Sequence, residues 1–259
     1  MTGSHDSDWA ELARIRDAPV LLVSPHMDDA WLSCTAILVR PAPIHVLTVF
    51  GGAPDDPISA EWDAACGFSD SREANAARSA EERQAFRGTP HRLELMDLLE
   101  HQYLTAPREP AEGERLALLA RDWLRSHPPG VILAPVGAGE RNGPLSATLG
   151  RARRRPRIAP HPDHLMVRNA LARAVPPRSL LLYEEFPYRR AGRGDREAAR
   201  IAKIRGEFMA KVDVPIDVRR KATAAAHYPS QLRGLCGTGP QFSDPRTLEP
   251  TERYWLPTP

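Results

Sequence analysis

Five short apolar runs alternate with longer amphipathic stretches along this chain. The runs cover residues 19–25, 44–50, 91–95, 131–135 and 179–186, and helical patterns cover residues 29–39, 69–87, 112–127, 163–175, 195–210 and 217–232. Strands that are apolar on both faces and alternate with helices are typical of a parallel sheet covered on both sides. The sequence therefore predicts an α/β fold, a Rossmann-like, mostly parallel sheet flanked by helices on both faces. In such folds ligands bind beyond the carboxyl ends of the strands.

Composition excludes several classes of protein. The chain has 259 residues, of which 42% are hydrophobic and 26% charged, as expected of a globular protein with a substantial core. A net charge of +2 and apolar runs too short to span a bilayer argue against nucleic-acid and membrane partners. Three widely spaced cysteines and an N-terminus without an apolar signal segment favour a cytoplasmic protein without disulfides.

Two dense polar clusters stand out against this background. They are His26-x-Asp28-Asp29, in "SPHMDDAWLSC" at the end of the first apolar run, and His161-x-Asp163-His164, in "HPDHLMVRNA" after the fourth. Two neutral imidazoles and one carboxylate, with an open fourth position, are a common catalytic zinc arrangement. From spacing alone we expect His26, one of the two aspartates and His164 to be ligands. The remaining carboxylate and His161 would be free for proton transfer.

Each cluster also has a purely structural interpretation. The adjacent aspartates at 28 and 29 could cap a helix, since anions are favoured at helix N-termini. The second cluster could start a helix, with Asp163 as its N-cap and the two histidines on the surface. Both clusters are predicted at the same edge of the sheet, which favours the metal site over two independent caps.

The two motifs resemble the signatures of the LmbE/PIG-L family of zinc-dependent N-acetylglucosaminyl deacetylases, in the branch with an SPHxDDA opening. Ala30 follows the paired aspartates here, where much of the family has Glu. Weaker similarities follow in order along the chain, in "RSAEERQA", "LMDLLEHQY", "LYEEFPY", "KATAAAHYPSQ" and "ERYW". The resemblance implies that residues 1–259 form a single deacetylase domain.

The resemblance also assigns roles to individual residues. It implies that one zinc ion per chain is bound by His26, Asp29 and His164. Asp28 would be the general base that takes a proton from the zinc-bound water. His161 would stabilise the oxyanion or protonate the leaving amine, and Asp163 would orient and tune His161.

Two further residues are candidates for substrate binding. The resemblance implies that Arg78 contacts substrate hydroxyls or a phosphate; alternatively it is a helix-surface arginine paired with Glu81 or Glu82. Asp97 follows the third apolar run and so points toward the same edge of the sheet. Glu184 and Glu185 could line the pocket or simply satisfy a strand end.

An insertion at residues 139–160 separates "PVGAG" from "HPDH", which are nearly contiguous in the family pattern. It contains the basic run "GRARRRPR" and immediately precedes His161. We expect either a lid or specificity loop at the rim of the site, whose arginines meet an anionic or polyhydroxylated substrate, or a solvated excursion.

The leading hypothesis is a zinc-dependent hydrolase that removes an N-acetyl or other N-acyl group from an amino-sugar or pseudosugar conjugate, with a small molecule as its partner. The insertion and the motif variant favour a role in secondary-metabolite biosynthesis. Alternatives are an amidase acting on a thiol conjugate of the mycothiol type and a non-hydrolytic sugar- or nucleotide-binding protein. The pattern leaves the formation of homo-oligomers open.

Overall fold

The computed structural model describes residues 12, 15, 17–139, 160–191, 193–237 and 241–258. The strands in this part of the chain are β1 (Val20–Ser24), β2 (His45–Thr48), β3 (Arg92–Leu95), β4 (Val131–Pro135), β5 (Leu180–Tyr183), β6 (Met209–Pro215) and β7 (Thr251–Pro257). They form a seven-stranded sheet in the order β3-β2-β1-β4-β5-β7-β6. The first five strands are parallel, and β7 is antiparallel to both β5 and β6. The predicted α/β fold with a mostly parallel sheet is confirmed.

Helices connect the strands. Those of the described residues are α1 (Asp29–Ser33), α2 (Thr35–Leu38), α3 (Glu61–Cys66), α4 (Ser71–Phe86), α5 (Pro110–Ser126), α6 (Pro162–Ala174), α7 (Gly194–Arg205), α8 (Val218–Ala225) and α9 (Pro229–Cys236). Short 3₁₀ turns cover His101–Tyr103, Tyr188–Ala191 and Pro245–Thr247. Within these bounds, none of the helices is long and apolar enough to cross a membrane.

Both faces of the sheet are covered, because successive residues of a strand point to opposite sides. Leu21 and Val23 pack in one core cluster with residues of α5, α6 and α7. Val20 and Leu22 belong to a second cluster, which includes residues of α1, α2, α4 and α8. The near-continuous apolar runs of the sequence are thus explained by burial on two sides.

The strand order reverses between β1 and β4. From β1 the chain moves outward to β2 and β3, and it then returns through α5 to β4 on the opposite side of β1. A crevice opens at such a point beyond the carboxyl ends of the two strands, because their following segments leave in opposite directions. Both polar clusters of the sequence follow these two strands, so the fold brings them to one place.

Two predicted helices are interrupted. The stretch 29–39 forms α1 and α2, separated at Cys34, whose backbone has φ −130° and ψ 32°. The stretch 217–232 forms α8 and α9 because Pro229, at the first turn of α9, lacks the N–H that a continuous helix would require.

The sheet has an antiparallel edge that the sequence pattern did not predict. The helix predicted for 195–210 ends at Gly206 in the left-handed conformation, with φ 64°. The chain then forms β6, which pairs along its whole length with β7. These strands are separated by α8 and α9, and a pairing of such long range leaves little trace in a local hydrophobic pattern.

Candidate metal centre and active site

The first polar cluster forms a tight turn between β1 and α1. The Ser24 hydroxyl closes this turn, because it donates to the His26 carbonyl (2.8 Å) and accepts from the Ala30 amide (3.0 Å). The Asp29 carboxylate bends back and accepts from the His26 amide at 2.9 Å. The side chains of His26 and Asp29 are therefore placed side by side by local backbone geometry.

Asp28 lies in this turn with a backbone φ of 125°. Its carboxylate makes no capping hydrogen bond to α1, so the interpretation of the paired aspartates as a helix cap is wrong for Asp28. Burial raises the pKa of Asp28 well above its usual value, and the charge of Asp29 adds to this effect. The turn holds a buried carboxylate with a high affinity for protons.

The second polar cluster starts α6, but with a different residue from the predicted one. His161, not Asp163, is the N-cap: its Nδ1 accepts from the Asp163 amide at 3.3 Å, and Pro162 is the first helical residue. The predicted Asp163 cap is thus wrong, because the Asp163 side chain is engaged elsewhere. His164 is buried in the first turn, at 2% exposure, so it is not the surface histidine of the structural interpretation.

Three side-chain atoms from the two clusters form a nearly equilateral triangle. His26 Nδ1 lies 3.3 Å from His164 Nε2 and 3.3 Å from Asp29 Oδ2, and the latter two atoms are 3.5 Å apart. Ligands of a tetrahedral ion at bond lengths of about 2.0–2.1 Å are about 3.3–3.4 Å from one another. The donor set and its spacing therefore fit a divalent ion such as zinc.

The outer nitrogen of each of these two imidazoles is bonded to a carboxylate. His26 Nε2 donates to Asp163 Oδ2 at 3.1 Å, and His164 Nδ1 donates to Glu185 Oε1 at 3.0 Å. Because an ionised carboxylate only accepts, both outer nitrogens carry hydrogen, and in the neutral form of each ring it is the inner nitrogen that has the free lone pair. This is the arrangement by which carboxylates orient histidine ligands in metal sites.

Charges around the triangle favour a cation. Burial lowers the pKa of His26, but hydrogen bonds to Asp163 and Asp29 outweigh burial, and the pKa lies well above its usual value. Burial raises the pKa of Asp29, but the charges of His164 and His26 outweigh it and hold the pKa at about 2. The pocket therefore stabilises positive charge between these side chains.

His161 lies beside the triangle. The ring nitrogens of His26, His161 and His164 lie within 4.8 Å of one another, a second grouping with metal-ligand chemistry. The shorter distances of Asp29 favour it over His161 as the third ligand. Burial and the charges of the two other histidines lower the pKa of His161 to about 2, so its imidazole is neutral near pH 7.

Asp163 has a partner different from the predicted one. Its Oδ2 accepts from His26 and from the His101 amide (2.9 Å), whereas His161 Nδ1 is 3.9 Å away. Arg108 donates to Oδ1 at 2.8 Å. Three donors thus compensate the burial of this carboxylate, and its pKa lies below the usual range despite that burial. The carboxylate of Asp163 is thus bonded to His26, whereas it is the Asp163 amide that contacts His161. The orienting role of Asp163 toward His161 stays a prediction.

Arg78 is buried, at 3% exposure, and forms an ion pair with Glu100 rather than with Glu81 or Glu82. The helix-surface interpretation is therefore wrong. Burial lowers the pKa of Arg78, but the charge of Glu100 outweighs this and raises it above its usual value. The positive charge of Arg78 in turn acts on Asp28. Whether Arg78 contacts substrate stays a prediction.

Asp97 lies apart from the metal centre. Its side chain is 75% exposed, and it pairs with Arg115 of α5 at 2.5 Å. The third strand does point toward the same edge of the sheet, but the chain after it turns Asp97 outward. The buried carboxylate that this segment contributes is Glu100, three residues further along.

Three residues make buried contacts around the site that the sequence did not predict: Glu185, Arg108 and Glu100. The sequence signal for Glu185 was its position just after a buried strand, which fits either a residue that lines the pocket or one that satisfies the strand end. Arg108 had no signal, because a lone arginine in a Pro-rich loop is unremarkable. Besides Asp163, its guanidinium contacts the Leu99 carbonyl and stacks over Phe50, at 4.5 Å from the ring centre.

The ends of the insertion meet at the metal centre. The His161 amide donates to the Gly139 carbonyl at 2.8 Å. Gly139 also packs so closely on His164 that a Cβ atom there would lie 2.7 Å from Nδ1. The prediction of either a lid over the site or a solvated surface loop concerns residues 140–159, which lie outside the described residues.

The chain is similar in sequence to a curated deacetylase. No family model matches the chain. A 2'-N-acetylparomamine deacetylase of Streptomyces fradiae is 27% identical over 288 aligned residues, covering 99% of this chain and 96% of the relative. The resemblance to LmbE/PIG-L-type deacetylases is confirmed by this full-length similarity.

Solved structures of deacetylases share the fold. The A40926 pseudoaglycone deacetylase is 22% identical, with a TM-score of 0.62, over 93% of this chain and 97% of its own. The zinc-inhibited form of teicoplanin deacetylase is 19% identical, with a TM-score of 0.61, over 93% and 98% of the two chains. At this identity the likeness concerns the fold.

Proposed function

We propose that this chain, a homologue of an amino-sugar N-deacetylase, is a metal-dependent hydrolase that removes an N-acetyl group from an amino-sugar intermediate of antibiotic biosynthesis. The observation that carries the proposal is the triangle of His26 Nδ1, Asp29 Oδ2 and His164 Nε2, with both imidazoles oriented by outer carboxylates. We further propose that residues 1–259 form one domain of this type, in which the insertion at 139–160 contributes to the rim of the site.

His26, Asp29 and His164 would hold the ion, and zinc, one per chain, suits two nitrogen ligands and one oxygen ligand. When bound, the ion supplies a lowered pKa for water and polarisation of the amide carbonyl. Two imidazoles and one carboxylate leave a tetrahedral site one open position, which the substrate chemistry requires.

Asp28 would act as the general base. An amide has a weakly electrophilic carbon and a poor leaving group, so the attacking water must lose a proton and the departing nitrogen must gain one. The raised pKa of Asp28 suits a group that first takes the proton from water and then delivers it to the nitrogen as the C–N bond breaks. Acetate and the free amine are the products.

His161 would bind the oxyanion. Its Nδ1 accepts from the Asp163 amide, so the neutral ring carries its hydrogen on Nε2. A neutral imidazole held in this way can donate a hydrogen bond to developing negative charge, and preorganised donors of this kind are large contributors to acyl-transfer catalysis. Of the two roles considered for His161, this geometry favours oxyanion stabilisation over protonation of the amine.

Amine release from purified, metal-loaded protein tests the proposal. The substrates would be N-acetylated amino sugars and pseudosugar glycosides, with a thiol conjugate of an acylated amino sugar for comparison. We expect wild type to release amine from a member of the first group. Asp28→Asn should keep one equivalent of metal and lose about 10²–10⁴-fold in rate. Asp29→Asn should lose the metal itself.

Asp122→Asn is the matched control, because Asp122 is an exposed aspartate on α5 that pairs with Arg125 of the same helix. It should keep both metal and rate. A wild-type protein that binds no divalent ion would contradict the proposal. Cleavage of the thiol conjugate alone would support a metal-dependent hydrolase with a different substrate. An Asp28→Asn variant that binds metal and keeps full activity would show that Asp28 is not the general base.

A further inference from the structure

Glu185 is a fully buried carboxylate at the end of β5. Its position puts it next to the turn that follows β4, because the two strands are neighbours and parallel. A buried charge of this kind is costly unless donors surround it. The donors that Glu185 finds come from two separate segments that both adjoin the metal centre.

Within the part of the chain that the structure describes, the Glu185 carboxylate accepts three hydrogen bonds. Oε1 accepts from the Gly137 amide at 2.8 Å and from His164 Nδ1 at 3.0 Å, while Oε2 accepts from the Ala138 amide at 3.2 Å. The backbone after β4 and the histidine of α6 are thereby joined through one side chain. The bond to Nδ1 leaves Nε2 of His164 as the nitrogen with a free lone pair, and that nitrogen faces His26 and Asp29.

We infer that Glu185 is a positioning residue of the metal centre: it fixes the tautomer and ring orientation of His164 so that Nε2 is presented to the ion. This inference rests on the metal site of the proposed function. Without Glu185, the His164 ring would lose its partner for Nδ1–H. It could then carry its hydrogen on Nε2, where the hydrogen would compete directly with the metal. Carboxylates that hold histidine ligands in this way contribute about 10–100-fold to metal affinity.

Glu184, the preceding residue, provides a matched control. It too is buried, at 5% exposure, at the same strand end, but its partners are Arg253 (3.5 Å) and Arg189 (3.8 Å) on the side of β7. Replacement of either glutamate by glutamine removes one buried carboxylate at the end of β5. Only Glu185→Gln changes a contact to the histidine.

The test is the zinc dissociation constant, measured by competition with a chromogenic chelator, for wild type, Glu185→Gln and Glu184→Gln. We expect a constant about 10–100-fold higher for Glu185→Gln and one within about twofold of wild type for Glu184→Gln. The absorption spectrum of the cobalt-substituted protein should change for Glu185→Gln alone, since it reports ligand geometry. Equal zinc affinities and cobalt spectra in wild type and folded Glu185→Gln would overturn the inference.

A measurement on wild type does not depend on the folding of a variant. Long-range ¹H–¹⁵N correlation spectra of the metal-free protein report which ring nitrogen of each histidine carries hydrogen. We expect the Nδ1–H tautomer for His164, and the Nε2–H tautomer would overturn the inference. A wild-type protein without zinc affinity would instead contradict the proposed function, so the two failures are distinguishable.

Discussion

Asp28 combines a strained backbone with a buried carboxylate. Its φ of 125° lies in a region that residues other than glycine rarely adopt. Such a backbone conformation costs about 1–3 kcal/mol. The next residue, Asp29, turns its carboxylate back and accepts from the His26 amide. The strained backbone of Asp28 therefore lies in the turn that places Asp29 beside His26.

This strain predicts a difference between two inactive variants. Asp28→Gly and Asp28→Ala both remove the carboxylate, but only glycine adopts a φ of 125° without steric cost. We expect Asp28→Gly to be the more stable by about 1 kcal/mol, although glycine usually destabilises relative to alanine. Urea unfolding of the two metal-free variants measures this. An alanine variant as stable as the glycine variant would show that the turn at Asp28 relaxes.

At the scale of elements, a buried hydrogen-bonded network joins three parts of the fold next to the site. Glu82 of α4 accepts from the Thr48 hydroxyl of β2 (2.9 Å) and from the Tyr228 hydroxyl between α8 and α9 (2.6 Å). Burial nevertheless raises the pKa of Glu82 to about 7, because two neutral hydroxyls only partly replace water. The network ties α4, which also carries Arg78, to the sheet.

Glu82 should make stability depend on pH. Its pKa is higher in the folded than in the unfolded protein, so between about pH 4.3 and pH 7 the folded state binds more protons. The free energy of unfolding contributed by this group therefore falls as pH rises through that window and levels off above it. Integrated over the window, the loss is up to about 4 kcal/mol.

Glu82→Gln mimics the protonated carboxyl at every pH and should remove this slope. Urea unfolding of the metal-free protein between pH 5 and pH 8 measures it, since metal binding would add its own pH dependence. Glu81→Gln is the control, because Glu81 is the preceding residue of α4 and accepts from Ser230 instead. If the free energies of unfolding of Glu82→Gln and wild type changed in parallel with pH, the folded protein would not raise the pKa of Glu82, and the prediction would be wrong.

At the scale of the whole molecule, the proposed metal centre would join segments that are distant in sequence. His26 and Asp29 follow β1, whereas His164 belongs to α6 after β4, and 138 residues separate the two histidines. An ion bound by these three side chains cross-links the two halves of the parallel sheet at the point where the strand order reverses. Binding to the folded state alone must then stabilise the whole fold.

Removal of the metal should lower the thermal stability of the protein. At a free zinc concentration of 100 times the dissociation constant, binding contributes about 2.7 kcal/mol. For a chain of this size that corresponds to roughly 5–10 °C in Tm. Differential scanning calorimetry with zinc and with a chelator measures the shift. Asp29→Asn should show none, and a wild-type Tm independent of zinc would mean that the ion does not bind the folded protein.

The sequence by itself predicted the five parallel strands and a metal site of His26, His164 and one of two adjacent aspartates; the family resemblance then implied Asp29. Both are local signals: an apolar run buried on two sides has a recognisable composition, and His26, Asp29 and His164 stand in short, distinctive motifs. The sequence also placed both motifs at one edge of the sheet, because parallel strands bring their carboxyl ends together. The site assignments remain predictions for the experiments above.

Only the tertiary structure decided which carboxylate holds which histidine. Asp163 is two residues from His161 in sequence, yet it bonds His26, which is 137 residues away, because α6 turns its side chain toward β1. Glu185 and Arg108 are common residue types, and the sequence around them contains no distinctive motif. Their partners are fixed only when β5 and the loop before α5 pack against the site. Hydrogen bonds require atoms within about 3 Å in the right orientation. Such proximity between distant segments is a property of the packed fold and not of any local pattern.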